Sequence, residues 1–240
     1  MKRFDLFGVG GTLKAPAFTL AEGATHVVML NSQRRFGFTL AEVLVTLGII
    51  GVVSAMTVPS LIQNYQRQSY VTQLHKFYNE LSQALVRYQN DRNAVNLTEA
   101  GLSSNAALKT FMNNYFKVVQ SCDTASSPCF AASYRRLDGV GMGELNSAES
   151  YVIASGAAIR PLYSKDNQKI VNFLVDINGQ KGPNIWGRDI FVIGAYNNGL
   201  LDSWAEDVVS APLTKEEREA APDTWKAFAD ILNDNWEMTY

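Results

Sequence analysis

The feature that most constrains this sequence is an apolar run of 24 residues from Phe38 to Leu61, in which Glu42 is the only formally charged side chain. As an α-helix rising about 1.5 Å per residue, the run would extend roughly 36 Å, which exceeds the ~30 Å hydrocarbon core of a bilayer. Arg34 and Arg35 lie just before it, as expected for a cytoplasmic flank. The run therefore predicts a membrane-spanning helix.

Two common kinds of apolar segment, an ordinary signal anchor and a cleaved secretory signal, fit this run less well. More than thirty residues separate its basic flank from Met1. A secretory signal ends in a small-x-small cleavage site followed by a polar mature chain, and no such site closes the run. The carboxylate inside the run is also foreign to both kinds of segment.

Glu42 needs a physical explanation, because a charged carboxylate within a membrane helix costs about 2.5–3.5 kcal/mol on insertion scales. A positive group at the same depth would offset that cost. If the chain were cut between Gly37 and Phe38, the new α-amino group would lie one helical turn from Glu42. The amine could then pair with Glu42 of its own chain or of a neighbouring subunit.

The residues around this bond, Gly37-Phe38-Thr39-Leu40-Ala41-Glu42-Val43-Leu44, resemble the processing site of type IV prepilins and pseudopilins. The resemblance implies that a membrane aspartyl peptidase cleaves after Gly37 and methylates Phe38, and that Glu42 pairs subunits. Pro59 lies where many pilins have a helix-bending proline. Independently of the family, proline removes a backbone donor and kinks a helix.

The cleavage site predicts three segments: a cytoplasmic leader over residues 1–37, a membrane-spanning half-helix over 38–61 and an extracytoplasmic domain over 62–240. The leader has five basic and two acidic side chains, a net charge of +3 that favours cytoplasmic retention. The remainder has 16 basic and 21 acidic side chains, a net charge of −5, which argues against nucleic-acid binding. The leader also contains a partial echo of the motif, Phe18-Thr19-Leu20-Ala21-Glu22, without a long apolar run after it.

The remaining periodicities predict an α+β, pilin-like fold. Apolar residues at three- and four-residue spacing continue the first helix to about Gln89, and a second helix is expected over 105–119. Short β-branched runs at 151–154, 170–177 and 189–193 predict an antiparallel meander on the second half of the long helix. A capping box at Thr214 and a helix after Pro222 predict additional C-terminal helices.

Cys122 and Cys129 are the only cysteines, and six residues separate them. In an extracytoplasmic domain they are expected to pair, which would contribute about 2.5 kcal/mol in the chain-entropy model. The spacing does not match a redox C-x-x-C or a zinc site. Two free buried thiols are the alternative.

A turn-rich segment from Asp176 to Asp189 follows the second predicted strand. It also resembles a loop common in pseudopilin-like domains. Asp176, Asn178 and Asp189 offer oxygen ligands of the kind that calcium prefers, and D-x-N-G is similar to the opening of a calcium loop, but the closing glutamate is absent. The two interpretations are a calcium site and a structural turn whose aspartates bind backbone amides.

The sequence contains no paired histidines, nucleophile elbow, H-E-x-x-H motif or phosphate loop in its required context, so we expect no enzyme and no cofactor other than this possible calcium. We expect a filament subunit of a type IV pilus or secretion pseudopilus, held as a single-pass protein in the bacterial cytoplasmic membrane. Its expected partners are the prepilin peptidase, other pilin subunits, an inner-membrane assembly platform and the lipid bilayer. The alternatives are a membrane-anchored binding protein that does not polymerise and an anchored extracytoplasmic enzyme.

Overall fold

The structure is a computed structural model that describes residues 37–123, 127–143, 148–207, 210–223 and 225–240. The leader before Gly37, including the echo at Phe18–Glu22, lies outside the described residues. The predicted limits of the three segments therefore stay predictions.

The first helix, α1, runs from Leu40 to Asp91, as the sequence periodicity predicts. The chain divides into two units inside this helix, between Ile50 and Gly51. Within the second unit, every helical residue as far as Gln66 is exposed. Burial begins at Val71 and then recurs at helical spacing, which is the signature of one face packed on a core. The buried residues of α1 are Val71, Leu74, Phe77, Leu81, Ala84, Leu85 and Tyr88.

The second helix, α2, spans Asn105–Tyr115. Its first turn is capped by the Ser104 side chain, which accepts a hydrogen bond from the Ala107 amide at 3.2 Å. The helix ends four residues before the predicted limit at Val119, because Phe116 adopts an extended backbone (φ −120°, ψ 148°). The apolar residues after Phe116 belong to a strand instead.

The strands form a six-stranded antiparallel sheet and a separate two-stranded sheet. In chain order they are β1 Val118–Cys122, β2 Tyr134–Arg135, β3 Gly141–Gly143, β4 Ser150–Ile153, β5 Ala158–Asp166, β6 Lys169–Asp176, β7 Ile190–Tyr196 and β8 Leu201–Asp202. The large sheet has the order β1-β4-β5-β6-β7-β8, so its last five strands are the expected meander, and β2 pairs with β3. The predicted runs correspond to β4, β6 and β7, whereas β1, β2, β3, β5 and β8 were not predicted.

The large sheet buries both of its faces. In the β5–β6 and β6–β7 ladders, Ile159 lies opposite Val175 and Phe173 opposite Ile193. These side chains belong to the same apolar cluster as the buried residues of α1. The alternate positions, such as Ala158 of β5, belong to a second cluster that includes Phe130 and Trp186.

Two short helices complete the domain, α3 at Lys215–Glu219 and α4 at Ala227–Asn233. The predicted capping box is present, since Thr214 and Glu217 each accept a hydrogen bond from the backbone amide of the other. The predicted apolar stripe is buried at Phe228 and Ile231, and beyond α4 the Trp236 ring lies 4.2 Å from that of His75 on α1.

A buried ion pair connects α3 to the sheet. Asp202, at the end of β8, is only 2% exposed and accepts hydrogen bonds from Arg218 Nε and Nη2, both at 2.8 Å. The same carboxylate accepts from the amides of Ser203 and Leu213. The Arg218 guanidinium also donates to Asn233 at the end of α4. A single bidentate pair thus holds α3, α4 and the segment between β8 and α3 together.

Candidate processing and assembly site

The bond predicted to be cleaved lies outside the helix. Gly37, Phe38 and Thr39 have no helical structure, and α1 begins at Leu40. Phe38 is 87% exposed, and a Cβ built on Gly37 would have no heavy atom within 4 Å. The Gly37–Phe38 bond therefore lies outside the helix and beside an exposed side chain, where a peptidase could reach it.

The Glu42 carboxylate is held by Thr39 within the first turn of α1. Glu42 Oε2 accepts hydrogen bonds from both the amide and the hydroxyl of Thr39, each at 2.8 Å. In return, the Glu42 amide donates to Thr39 Oγ1 at 3.2 Å. This reciprocal arrangement is a capping box, which satisfies orphan amides at the start of a helix. It fixes the carboxylate beside the predicted cleavage site.

Thr39 is a site residue that the sequence interpretation missed. Its signal is local, because a threonine followed three residues later by a glutamate before an apolar run is the pattern of a capping box. In the sequence, the same residues also form part of the processing motif, which hides the capping pattern. The geometry gives Thr39 a separate role in holding Glu42.

The apolar run forms an uncovered helical surface. The large side chains from Leu40 to Leu61 are 40–78% exposed, with Met56 at 75% and Leu61 at 70%. In the part of the chain that the structure describes, α1 is the one helix long and apolar enough to cross a membrane. Pro59 lies within this helix. A contiguous apolar surface of this extent needs lipid or other helices to cover it.

Two glycines on this helix, Gly48 and Gly51, are also open. A Cβ built on Gly48 or on Gly51 would have no heavy atom within 4 Å. Small residues permit close approach of neighbouring membrane helices. These positions therefore offer space for a second helix.

Cys122 and Cys129 form a disulfide bond, as expected for an extracytoplasmic domain. Cys122 is the last residue of β1, and Cys129 lies in the segment that leads to β2. This bond excludes the alternative of two free buried thiols, and both residues belong to the second apolar cluster. The bond ties the edge strand of the large sheet to the segment that covers one of its faces.

Asp176, at the end of β6, is fully buried. It is the first residue of the 176–189 segment, for which the sequence predicts either a calcium site or a structural turn. Its Oδ2 accepts from the Tyr134 hydroxyl at 2.5 Å, and its Oδ1 accepts from the Asn178 amide at 3.1 Å. Burial, reinforced by the charge of nearby Asp189, raises the pKa of Asp176 to about 8. Near neutral pH this carboxyl is therefore mostly protonated.

Asp189 closes the same loop. Its two carboxylate oxygens accept from the amides of Asn184 and Ile185, each at 2.7 Å, which is the structural-turn arrangement. Burial raises the pKa of Asp189 above its ordinary value. These bonds occupy the carboxylate oxygens that a cation would need.

The acceptors left in this loop are few. In the described part of the chain, the buried Oδ1 atoms of Asn178 and Asn184 have no hydrogen-bond partner. Calcium takes six to eight oxygen ligands, so the loop as folded fits it poorly. Among the described residues, no three His, Cys, Asp or Glu side chains cluster as metal ligands would. Calcium at Asp176, Asn178 and Asp189 stays a prediction, which a melting experiment at millimolar calcium tests.

Comparisons with known proteins find one family model and one curated relative that match this chain. A family model described as the prokaryotic N-terminal methylation motif matches residues 32–58. The chain is 32% identical over 75 residues to the type II secretion system core protein G of Aeromonas hydrophila, an alignment covering 31% of this chain and 52% of that protein. The chain thus spans about half the length of the curated relative it matches. No solved structure matches.

The family-model match falls where the sequence motif and the open helix lie. Residues 32–58 include the predicted cleavage bond, Thr39, Glu42 and most of the apolar run. The resemblance to type IV pilin-like proteins is confirmed for this segment. The chain carries a prokaryotic N-terminal methylation motif on an uncovered apolar helix, and over 75 residues it is similar to a type II secretion system core protein G.

Proposed function

We propose that this chain is a structural subunit of a type IV pilus-like filament or a type II secretion pseudopilus. Prepilin peptidase cleaves it after Gly37 and methylates Phe38, and the subunits then assemble through α1. The observation that carries the proposal is the exposed apolar helix that begins two residues after an accessible Gly37–Phe38 bond and carries Glu42 in its first turn.

The geometry of Glu42 suits a pairing role. Thr39 occupies Oε2, whereas Oε1 accepts no hydrogen bond from the described residues. Hydrogen bonds from Thr39 lower the cost of placing the carboxylate in lipid but leave its charge without a cation. The amine released at Phe38 supplies that cation, either in the same chain or in the neighbour. Pairing between chains fixes the axial register of adjacent helices.

The proposal places the protein in the bacterial cytoplasmic membrane as a single-pass subunit, with the domain after residue 61 outside the cytoplasm. The disulfide bond supports that side of the membrane, since such bonds persist in oxidising compartments. Its partners are the prepilin peptidase, other pilin or pseudopilin subunits and the inner-membrane assembly platform.

Mass spectrometry of the native protein tests the processing step. We expect a chain that begins at methylated Phe38, and we expect Gly37→Arg to leave the leader attached. Ala17→Arg, which alters the echo motif, is the matched control and should leave processing unchanged. A native chain that begins at Phe18 or at Met1 would contradict the proposal.

Filament recovery tests the role of Glu42. Glu42→Gln keeps the size of the side chain but removes the charge, so we expect normal cleavage and fewer filaments sheared from cells. Glu80→Gln on the same helix is the control. Undiminished filaments in Glu42→Gln would refute the pairing argument, and a processed protein that never forms filaments would identify a membrane-anchored binding protein.

A further inference from the structure

We propose that a basic surface at the membrane-proximal end of the domain binds the anionic headgroups of the bilayer in which the subunit is anchored. The surface consists of Arg135, Lys181 and Arg188. The inference rests on the proposed anchoring through α1, and it concerns the subunit before assembly.

The depth of the surface follows from helix geometry within the second unit. The apolar run ends at Leu61, and Gln66 lies five residues later, which is about 7 Å along a helix. The headgroup layer adds roughly 5–7 Å to each side of the hydrocarbon core. When Leu61 marks the end of the hydrocarbon core, Gln63 therefore lies within the headgroup layer and Gln66 lies at its outer edge.

Arg188 shares that depth because it lines a groove with these helical residues. The groove is about 500 Å³ and is bounded by Gln63, Gln66 and Tyr70 of α1 on one side, and by Gly182, Pro183, Ile185 and Arg188 on the other. The β6–β7 loop therefore lies near the depth at which α1 leaves the hydrocarbon core of the bilayer.

The two other cations are attached to the same loop. Lys181 is exposed and directly precedes Gly182 in the groove wall. Arg135 is also exposed, and its backbone pairs in parallel with that of Ile185. Two backbone hydrogen bonds hold the strands together, from the Arg135 amide to the Asn184 carbonyl and from the Trp186 amide to the Arg135 carbonyl. Backbone pairing thus places Arg135 beside the loop that carries Lys181 and Arg188.

The charge of this surface is not neutralised by the protein. Among the described residues, none of the three cations forms an ion pair. Three acidic side chains are engaged elsewhere: Asp189 is buried and bound to backbone amides, Asp138 pairs with Arg136, and Glu237 lines a different groove with Arg67. Asp230 and Asp234 lie near Tyr240, as Arg188 does, but form no ion pair with Arg188. Phosphates are the ligands that match a cluster of unpaired basic side chains.

Tyr65 and Ile62 support the same depth from the helix side. Tyr65 is 73% exposed and Ile62 is 51% exposed, four residues and one residue after the end of the apolar run. Tyrosine is enriched at the membrane interface, where its ring and hydroxyl suit the two media. The Tyr65 ring on the helix and the basic side chains of the loop are therefore expected in the same headgroup layer.

The test uses the full chain in lipid nanodiscs of phosphatidylcholine, with or without about one-third phosphatidylglycerol. Hydrogen exchange is measured by mass spectrometry for peptides covering 177–189. We expect exchange about fivefold slower in the anionic discs, the effect of roughly one basic contact at a membrane surface. One molar salt should abolish the difference, because it shortens the screening length to about 3 Å.

Arg135→Gln/Lys181→Gln/Arg188→Gln should remove the lipid dependence. The matched control, Arg87→Gln/Lys117→Gln/Lys165→Gln, removes three exposed positive charges elsewhere and should retain it. Equal exchange of the wild type in both discs, or lost protection in the control as well, would overturn the headgroup contact while leaving the filament proposal intact. A chain that does not enter nanodiscs at all would overturn the anchoring and this contact together.

Discussion

At the scale of single residues, the carboxyl group of Asp176 ties the stability of the domain to pH. Its pKa of about 8 in the folded chain lies above the ordinary value of 3.8. Stability from this group is therefore complete below about pH 4 and is lost as the pH rises towards 8, because the unfolded chain releases the proton first.

Asp176→Asn should flatten this dependence, since an amide does not titrate. We expect urea unfolding of the wild type to lose up to about 1.4 kcal/mol per pH unit between pH 5 and 7, the value for one proton, and the variant to lose clearly less. Asp138→Asn, at an exposed position, is the control and should follow the wild type. An unchanged slope in Asp176→Asn would show that the carboxyl ionises freely.

Gly187 is a second position where one atom matters. Its φ is +83°, and an added Cβ would lie 3.0 Å from Ala227 Cβ, which is too close for ordinary contact. Gly139 has nearly the same φ, +86°, with no heavy atom within 4 Å of an added Cβ. Comparing an alanine substitution at Gly187 with one at Gly139 therefore separates the cost of backbone strain from the cost of crowding.

We expect Gly139→Ala to destabilise the domain by about 1 kcal/mol, the cost of the left-handed conformation. Gly187→Ala should cost about 2–3 kcal/mol, because crowding against α4 is added to that strain. Chemical denaturation measures both. Equal losses in the two variants would mean that α4 moves aside without cost.

At the scale of elements, the Asp202–Arg218 pair decides whether α3 and α4 stay docked. Arg218→Met would leave a 2%-exposed carboxylate without its cation, and breaking a buried pair in this way typically costs 3–5 kcal/mol. We expect a loss of about 3 kcal/mol, since Arg218 is partly exposed. Hydrogen exchange should quicken over 215–233 before the rest of the domain.

Lys215→Met is the control for that variant, because Lys215 forms an exposed pair with Glu219 at 3.8 Å. Such surface pairs contribute about 0–1 kcal/mol. If Arg218→Met cost no more than Lys215→Met, the backbone amides of Ser203 and Leu213 would be sufficient partners for Asp202.

The elements differ in how far the sequence alone could predict them. The long helix, β6 and β7 have dense apolar patterns and were predicted within a few residues. β5 was missed because Arg160, Pro161, Lys165 and Asp166 interrupt its pattern. Arg160 is nevertheless only 3% exposed, with its guanidinium 4.9 Å from the centre of the Phe130 ring. That cover comes from a distant segment, which local periodicity cannot reveal.

The features of the candidate site also differ in how far the sequence alone could predict them. The cleavage bond, Glu42 and the apolar run are contiguous in sequence, so a local motif was enough to predict them. The Asp176–Tyr134 bond joins residues 42 positions apart, and the basic surface needs β2 to lie beside the β6–β7 loop. These depend on tertiary structure, and the sequence could suggest only that the loop was polar and turn-rich.

At the scale of the whole molecule, charge and covalent structure agree with an extracytoplasmic domain. The chain after Gly37 has a net charge of −5, while the three cations of the basic surface remain unpaired among the described residues. Three of the 16 basic side chains after Gly37 thus lie where the proposed bilayer is, against an acidic remainder. Such an asymmetry favours one orientation of the domain over an anionic membrane.

The point along α1 at which burial begins has a practical consequence for recombinant production. Within α1, no side chain before Val71 is buried, so a fragment starting at Ile62 keeps every buried residue of the helix and loses most of the apolar membrane-spanning run. We expect that fragment to be purified from a bacterial periplasm without detergent and to melt cooperatively. A fragment starting at His75 lacks Val71 and Leu74 and should melt at a lower temperature or precipitate.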